Sequence, residues 1–115
     1  MMKAPIDMQL PKHHHTGTVM VYTFEGQWKY KEHDWVAGPG SIVYETAAST
    51  HTPEVVSTGG DSGYVVTLVQ VSGDLLFLDE NDNIIASENW KTGLNRYLAY
   101  CEQHGIEAKD LTAFN

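Results

Sequence analysis

The most constraining feature of this 115-residue chain is the way its histidines are set among short hydrophobic runs. Five of the six histidines fall between Lys12 and Pro53: His13, His14, His15, His33 and His51. The triplet leads into Thr18–Glu25, rich in Val, Tyr, Thr and Phe, which reads as a strand. Side chains alternate across a strand, so His13 and His15 share one face and His14 takes the other. His51 closes a second strand-like run, Ser41–Glu45, that follows the Gly38-Pro39-Gly40 turn. Two imidazoles on one face, met by a third from another strand, make a partial cage for a divalent metal. Imidazole suits zinc, copper, iron and nickel, and three protein ligands leave positions open. A tag remnant, or a polar loop without function, is the plainer reading of the triplet alone. His51 at the end of the second run tips the balance to the cage.

The residues between the two histidine groups carry further candidates. Trp28–Lys31 alternates aromatic with lysine, so Trp28 and Tyr30 point inward and Lys29 and Lys31 outward. The two aromatics are barrel core or the lining of an aromatic-substrate pocket. In Glu32-His33-Asp34-Trp35, Glu32 or His33 could reach the metal or orient an imidazole from behind. The alternative there is a solvated charged turn. Glu45, six residues before His51, is a candidate general base or supporting carboxylate if it faces the cavity. It is a surface charge if it faces out, and the turn at 46–50 leaves the face open.

These residues resemble the two motifs of a cupin. The first is a His-x-His pair running into a strand and closing on glycine: His13, His15 and Gly26. The second is a glycine-opened strand, a turn and a histidine: Gly40 and His51. The blocks around Glu32–Trp35 and Asn95–Cys101 resemble more closely the 2,4′-dihydroxyacetophenone dioxygenase branch. That resemblance spans about residues 12–107. It implies an all-β fold, a small antiparallel β-barrel or jelly roll with one C-terminal helix. It also implies Fe(II) held by His13, His15 and His51, with Zn(II) or Ni(II) as occupants of a purified sample. The activity implied is oxidative carbon–carbon cleavage of an aryl hydroxyketone by dioxygen. In that role Glu45 or His33 acts as base, and Trp28 and Tyr30 hold the ring. The branch also resembles zinc-binding cupin domains of anti-sigma factors, so a non-catalytic metal sensor is the second reading; a dioxygenase for another small ketone or diketone is the third.

The chain departs from the pattern in three places. Many cupins carry a glutamate ligand seven residues before the closing glycine, where Val19 stands here. A proline is usual at the position of Thr46 and a glycine near Ala48. Relatives carry more strands before the first histidine, which suggests a shortened barrel or one completed by a partner; a homodimer is the expectation.

The remaining chain adds little chemistry. One domain is expected: an arm over 1–12, a barrel over 13–87, a helix over 88–105 and a tail over 106–115. The arm alternates Met2, Ile6, Met8 and Leu10 with polar or small residues, as an added edge strand or a dimer-forming arm would. Tyr64–Val71 is almost continuously apolar and reads as a central or doubly buried strand. Trp90, Leu94, Leu98 and Cys101 form one stripe of the helix, Ser87 or Asn89 can cap it, and Gly105 ends it. A net charge of −8 without a basic cluster argues against nucleic acid and acidic membranes. The single Cys101 precludes an internal disulfide and fits a reducing compartment; with no membrane-spanning or signal segment, cytoplasm is expected.

Overall fold

The computed structural model describes residues 1–109. Ten strands precede one helix. The strands are β1 Met2–Ala4, β2 His13–His15, β3 Val19–Glu25, β4 Gln27–Tyr30 and β5 Ile42–Glu45, then β6 Thr50–His51, β7 Pro53–Ser57, β8 Val65–Val71, β9 Leu75–Leu78 and β10 Ile84–Glu88; the helix is α1 Trp90–His104. They pair antiparallel in three sheets, ordered β1-β8-β3-β5, β10-β9-β2-β6 and β4-β7. The architecture is an antiparallel all-β jelly roll with a C-terminal helix.

Period-two burial builds the interior. In β3, Val19, Val21 and Thr23 are buried while Met20, Tyr22 and Phe24 are exposed. Ala4, Val19, Val21, Trp28, Tyr30, Ala37 and Val65 form the core. The outer face of the first sheet stays apolar as well: Met20 sits opposite Tyr44, and Tyr22 lies between Ile42 and Leu68.

Turn chemistry fixes the strand ends. Gly26, between β3 and β4, has φ 78°, and a Cβ there would meet the Val65 side chain and the Ser57 carbonyl near 2.8 Å. Only glycine serves there. The turn between β5 and β6 uses a non-glycine residue in the left-handed region, Ala48 at φ 65°, where the cupin pattern has its glycine nearby. Ala48 N–H donates to the His15 carbonyl and His15 N–H to the Ser49 carbonyl, so this turn docks directly on β2.

Of three expectations, the edge strand and the central place of β8 hold and the packed helix stripe does not. The Met1–Lys12 arm contributes β1 to the sheet edge, against β8. β8 is interior to its sheet, but only Val65, Val66 and Thr67 are buried. Its second half alternates: Leu68 is half exposed on the outer face, while Val69 packs against the core and lines the inner chamber with Val71. The helix stripe is not packed on the barrel: Trp90 is 75% and Leu98 45% exposed, and only Cys101 is buried. The helix lies beside β10 at the sheet edge, where its capping does the local work. Asn89 accepts from the Lys91 and Thr92 amides, and Gly105 takes the left-handed cap. The end of the expected tail, 110–115, lies outside the described residues.

Candidate metal centre

Strand pairing assembles the three histidines. His13 of β2 lies directly opposite His51 of β6, and His15 is two residues along on the same inward face. The ring centroids form a nearly regular triangle, 4.8 Å for His13–His15 and 4.7 Å for each of the other two sides. Their ligand atoms all lie within 4.8 Å of one another. His14 points the other way, where Nδ1 meets the Thr50 hydroxyl at 2.7 Å.

Two of the rings are held by neighbours, while His15 Nδ1 is buried without a hydrogen-bond partner. His13 Nδ1–H donates to the Pro11 carbonyl at 3.1 Å, which leaves the lone pair of Nε2 for the site. Tyr30 stacks on His51, with centroids 3.8 Å apart and planes 19° from parallel. His15 Nε2 and His51 Nε2 stand 2.8 Å apart. Burial, and then the neighbouring imidazoles, push His15 down to about 4 and His51 to about 3. Burial also lowers His13. The imidazoles are therefore neutral at pH 7, with lone pairs converging on one point. That is the state in which imidazole binds a metal.

Glu45 stands beside the group. It faces inward, 8% exposed, with Oε2 at 3.1 Å from His51 Nε2 and 3.6 Å from His15 Nε2. Burial raises its carboxyl to about 7, against a lowering hydrogen bond from the Tyr30 hydroxyl. Oε2 accepts no hydrogen bond. A buried carboxylate oxygen without a donor costs about 1–3 kcal/mol or more, so it too asks for a cation. The residue paired with Glu45 across β3 and β5 is Val19, where many cupins carry their glutamate. A carboxylate thus stands beside the triangle, brought there by the neighbouring strand. The three neutral imidazoles fit a divalent metal.

The site lies between two spaces. Inward is an apolar chamber of about 160 Å³, bounded by His13, His15, Val19, Trp28, Tyr30 and Phe77, with Met2, Met8 and Leu10 of the arm along one side. Outward is an open depression of about 600 Å³ that His33, Trp35, Tyr44, Glu45 and His51 line. Trp28 and Tyr30 are buried; Trp28 Nε1–H donates to Thr23 Oγ1 at 2.8 Å, and Trp35 stands edge-on to both rings.

Two candidates sit elsewhere. His33 is exposed on the outer rim, stacked on Trp35 at 5.6 Å, because the tight turn after β4 carries it past the site. Glu32 does not support an imidazole. Its carboxylate accepts from the Thr52 amide at 2.9 Å and so pins the residue after His51. Burial raises Glu32, but the Thr52 hydrogen bonds outweigh it and hold the carboxyl below its usual range. Phe77, edge-on to His13 at 5.9 Å, was not foreseen; its role depends on the non-local pairing of β9 with β2.

The sequence profile of the ChrR Cupin-like domain matches residues 1–72. The chain belongs to that family. This cupin is also similar to a solved RmlC-like cupin from Ralstonia eutropha JMP134, at 57% identity and a TM-score of 0.90, over 98% of this chain and 71% of the other. A second cupin-fold protein from that organism, of unknown function, matches at 22% identity and TM-score 0.75, over 98% and 71% of the two chains. The acetylacetone dioxygenase of Acinetobacter johnsonii matches at 20% identity and TM-score 0.72, over 84% of this cupin and 64% of the enzyme; at that identity the likeness is one of fold. Among proteins of curated function none matches.

Proposed function

We propose that this cupin is a metal-dependent dioxygenase that cleaves a carbon–carbon bond of a small ketone, with an aryl hydroxyketone such as 2,4′-dihydroxyacetophenone as the first substrate class to test. The observation that carries the reading is the apolar chamber opening on the histidine triangle. A site that only held zinc has no use for an organic-sized hollow beside it. At about 160 Å³ the hollow is close to the ~150 Å³ apolar cavity known to take up benzene, so one ring or a short carbon chain fits.

His13, His15 and His51 would hold the ion. When bound, it supplies Lewis acidity toward the ketone and redox chemistry toward dioxygen. The chain's own residues do the rest. The chamber wall orients the carbon body and excludes water, and Trp28 and Tyr30 present ring faces and edges to an aromatic substrate. Glu45, beside the triangle, takes the proton of the substrate's hydroxyl or activated carbon. For 2,4′-dihydroxyacetophenone the balance closes with one dioxygen, whose two atoms end in 4-hydroxybenzoate and formate.

Oxygen uptake by protein stripped and reloaded with Fe(II), on addition of the ketone, tests the reading. Uptake with release of two carboxylic acids is expected. Tight binding of metal with no uptake on aryl hydroxyketones or small diketones would overturn it in favour of a metal sensor, the reading that the ChrR family match favours.

A further inference from the structure

A buried hydroxyl in the wall of the apolar chamber has no partner. Thr67 of β8 lines the chamber and is 2% exposed, and its Oγ1 makes no hydrogen bond among the described residues. Its strand neighbours do not answer for it. Thr23, opposite on β3, already accepts from Trp28 Nε1–H, and the residue opposite on β1 is Met2. Other polar groups of the wall are committed or lie at the rim: the Tyr30 hydroxyl bonds Glu45, and Glu54 is exposed. Folding therefore leaves this hydroxyl among Val21, Val65 and Val69, where an unpaired polar group costs stability.

Strand register puts Thr67 far from the histidines. Val19 pairs with both Glu45 and Val71, so that level marks the histidine end, where Glu45 Oε2 is 3.1 Å from His51 Nε2. Thr23 and Thr67 pair further along the same two strands, from Val19 to Thr23 on β3 and from Val71 to Thr67 on β8. At about 3.3 Å per residue the two levels are ~13 Å apart. Val21 and Val69 line the stretch between them. A para-hydroxyphenyl ketone spans roughly 7 Å between its two oxygens, and a hydrogen bond adds about 2.8 Å. With the ketone head against the histidines, the ring lies along the valines and the ring hydroxyl arrives at Thr67. An ortho or meta hydroxyl meets the valine wall instead. No lysine or arginine lines the chamber, so a neutral hydroxyl suits this end and a carboxylate does not.

We propose that Thr67 is the specificity-determining residue of the chamber, its Oγ1 hydrogen-bonding the ring hydroxyl of a para-hydroxyaryl ketone whose carbonyl lies at the histidines. This deepens the dioxygenase reading and rests on its substrate site. Threonine both donates and accepts, so either hydroxyl can give the proton. The unpaired group destabilises the empty barrel. In the complex it separates a hydroxylated ring from a bare one, because a ring that brings no polar group leaves it unpaired.

Zn(II)-loaded protein serves for the test, because zinc has no redox chemistry and binding is read without turnover. 4-Hydroxyacetophenone and 4-methylacetophenone, alike in shape, are titrated calorimetrically into wild type, Thr67→Val and Thr67→Ser. The expected result is a hydroxyl-to-methyl affinity ratio that falls about 10-fold in Thr67→Val and is kept in Thr67→Ser; comparing ratios cancels the hydration of the free ligands. Ligand-free Thr67→Val should also melt higher than wild type, since a methyl replaces the unpaired hydroxyl. A ratio unmoved in Thr67→Val, or lost equally in Thr67→Ser, overturns the proposal. So does a wild type that binds neither ketone, and so does a lower melting midpoint in Thr67→Val, which would reveal an internal partner for the hydroxyl. Oxygen uptake without this ratio removes the Thr67 contact and keeps the dioxygenase reading; the ratio without uptake keeps the contact and removes the dioxygenase.

Discussion

Acidifying the metal-free protein should destabilise it in a window that the buried triad defines. Unfolded histidine titrates near 6.5 and unfolded glutamate near 4.5, whereas in the fold His15 lies near 4, His51 near 3, His13 below its usual value and Glu45 near 7. Between pH 4.5 and 6.5 the unfolded chain therefore carries protons on three imidazoles and none on Glu45. The folded chain carries one on Glu45, none on His15 and His51 over most of the window, and fewer on His13 than the unfolded chain does. Unfolding takes up between one and two protons, two by His15 and His51 and a share by His13 less the one released by Glu45, so stability falls as pH falls through this window. Each proton is worth about 1.4 kcal/mol per pH unit. The open outer depression admits solvent and the groups are coupled, so a slope of about 1–2 kcal/mol per unit is the working expectation. Depressed carboxylates such as Asp79 and Glu88 lose their contribution only below the unfolded carboxylate range, which keeps the window clean. Above 6.5 the unfolded imidazoles lose their protons and Glu45 loses its own near 7, so the proton uptake fades and stability levels off around neutral pH. Urea unfolding in EDTA from pH 4.5 to 7.5, followed by circular dichroism, measures it. His51→Gln removes one titrating imidazole and should flatten the slope by about one proton. A flat profile from 5 to 6.5, or a protein that gains stability on acidification, would refute the reasoning.

His51→Ala should abolish tight metal binding while the barrel stays folded, read by metal analysis after gel filtration; retained stoichiometric metal would sink the three-histidine assignment. His14→Ala should leave metal content unchanged, since that side chain points at Thr50 outside the cage. Ala48→Gly should raise stability by about 0.5–1 kcal/mol in urea unfolding, because it relieves a left-handed residue at φ 65°; a loss would mean that the Ala48 methyl packs usefully. Gly17→Ala should be destabilising by at least about 1 kcal/mol, since its Cβ would come within 2.2 Å of the Ser72 carbonyl oxygen; an unchanged midpoint would show that the loop after β8 yields freely.

Local pattern made some of this architecture legible, and non-local pairing hid the rest. The strands around Val19–Glu25 and Leu75–Leu78 announce themselves by composition, and the alternation of Trp28 and Tyr30 with lysines gives their inward face. The helix ends are equally local, through Asn89 and Gly105. The packing of that helix is not. Trp90, Leu94, Leu98 and Cys101 make a periodic stripe, but periodicity says only that a face is apolar, not that the same chain covers it.

The metal centre divides along the same line, and Glu45 is the instructive residue. His13 and His15 share a face because of spacing alone, and that needs no knowledge of the fold. Whether Glu45 faces the cage depends on its register against β3, and register is a long-range quantity that one residue of slip inverts. With Val19 paired to Glu45, the carboxylate lands beside His51; shifted by one, it would lie on the outer face with Tyr44. The absence of a glutamate at position 19 reads, in sequence, as the loss of a ligand. In space the strand facing Val19 brings a carboxylate to 3.1 Å from His51. A motif is thus a statement about places around an ion, and each place can be reached from whichever strand passes it.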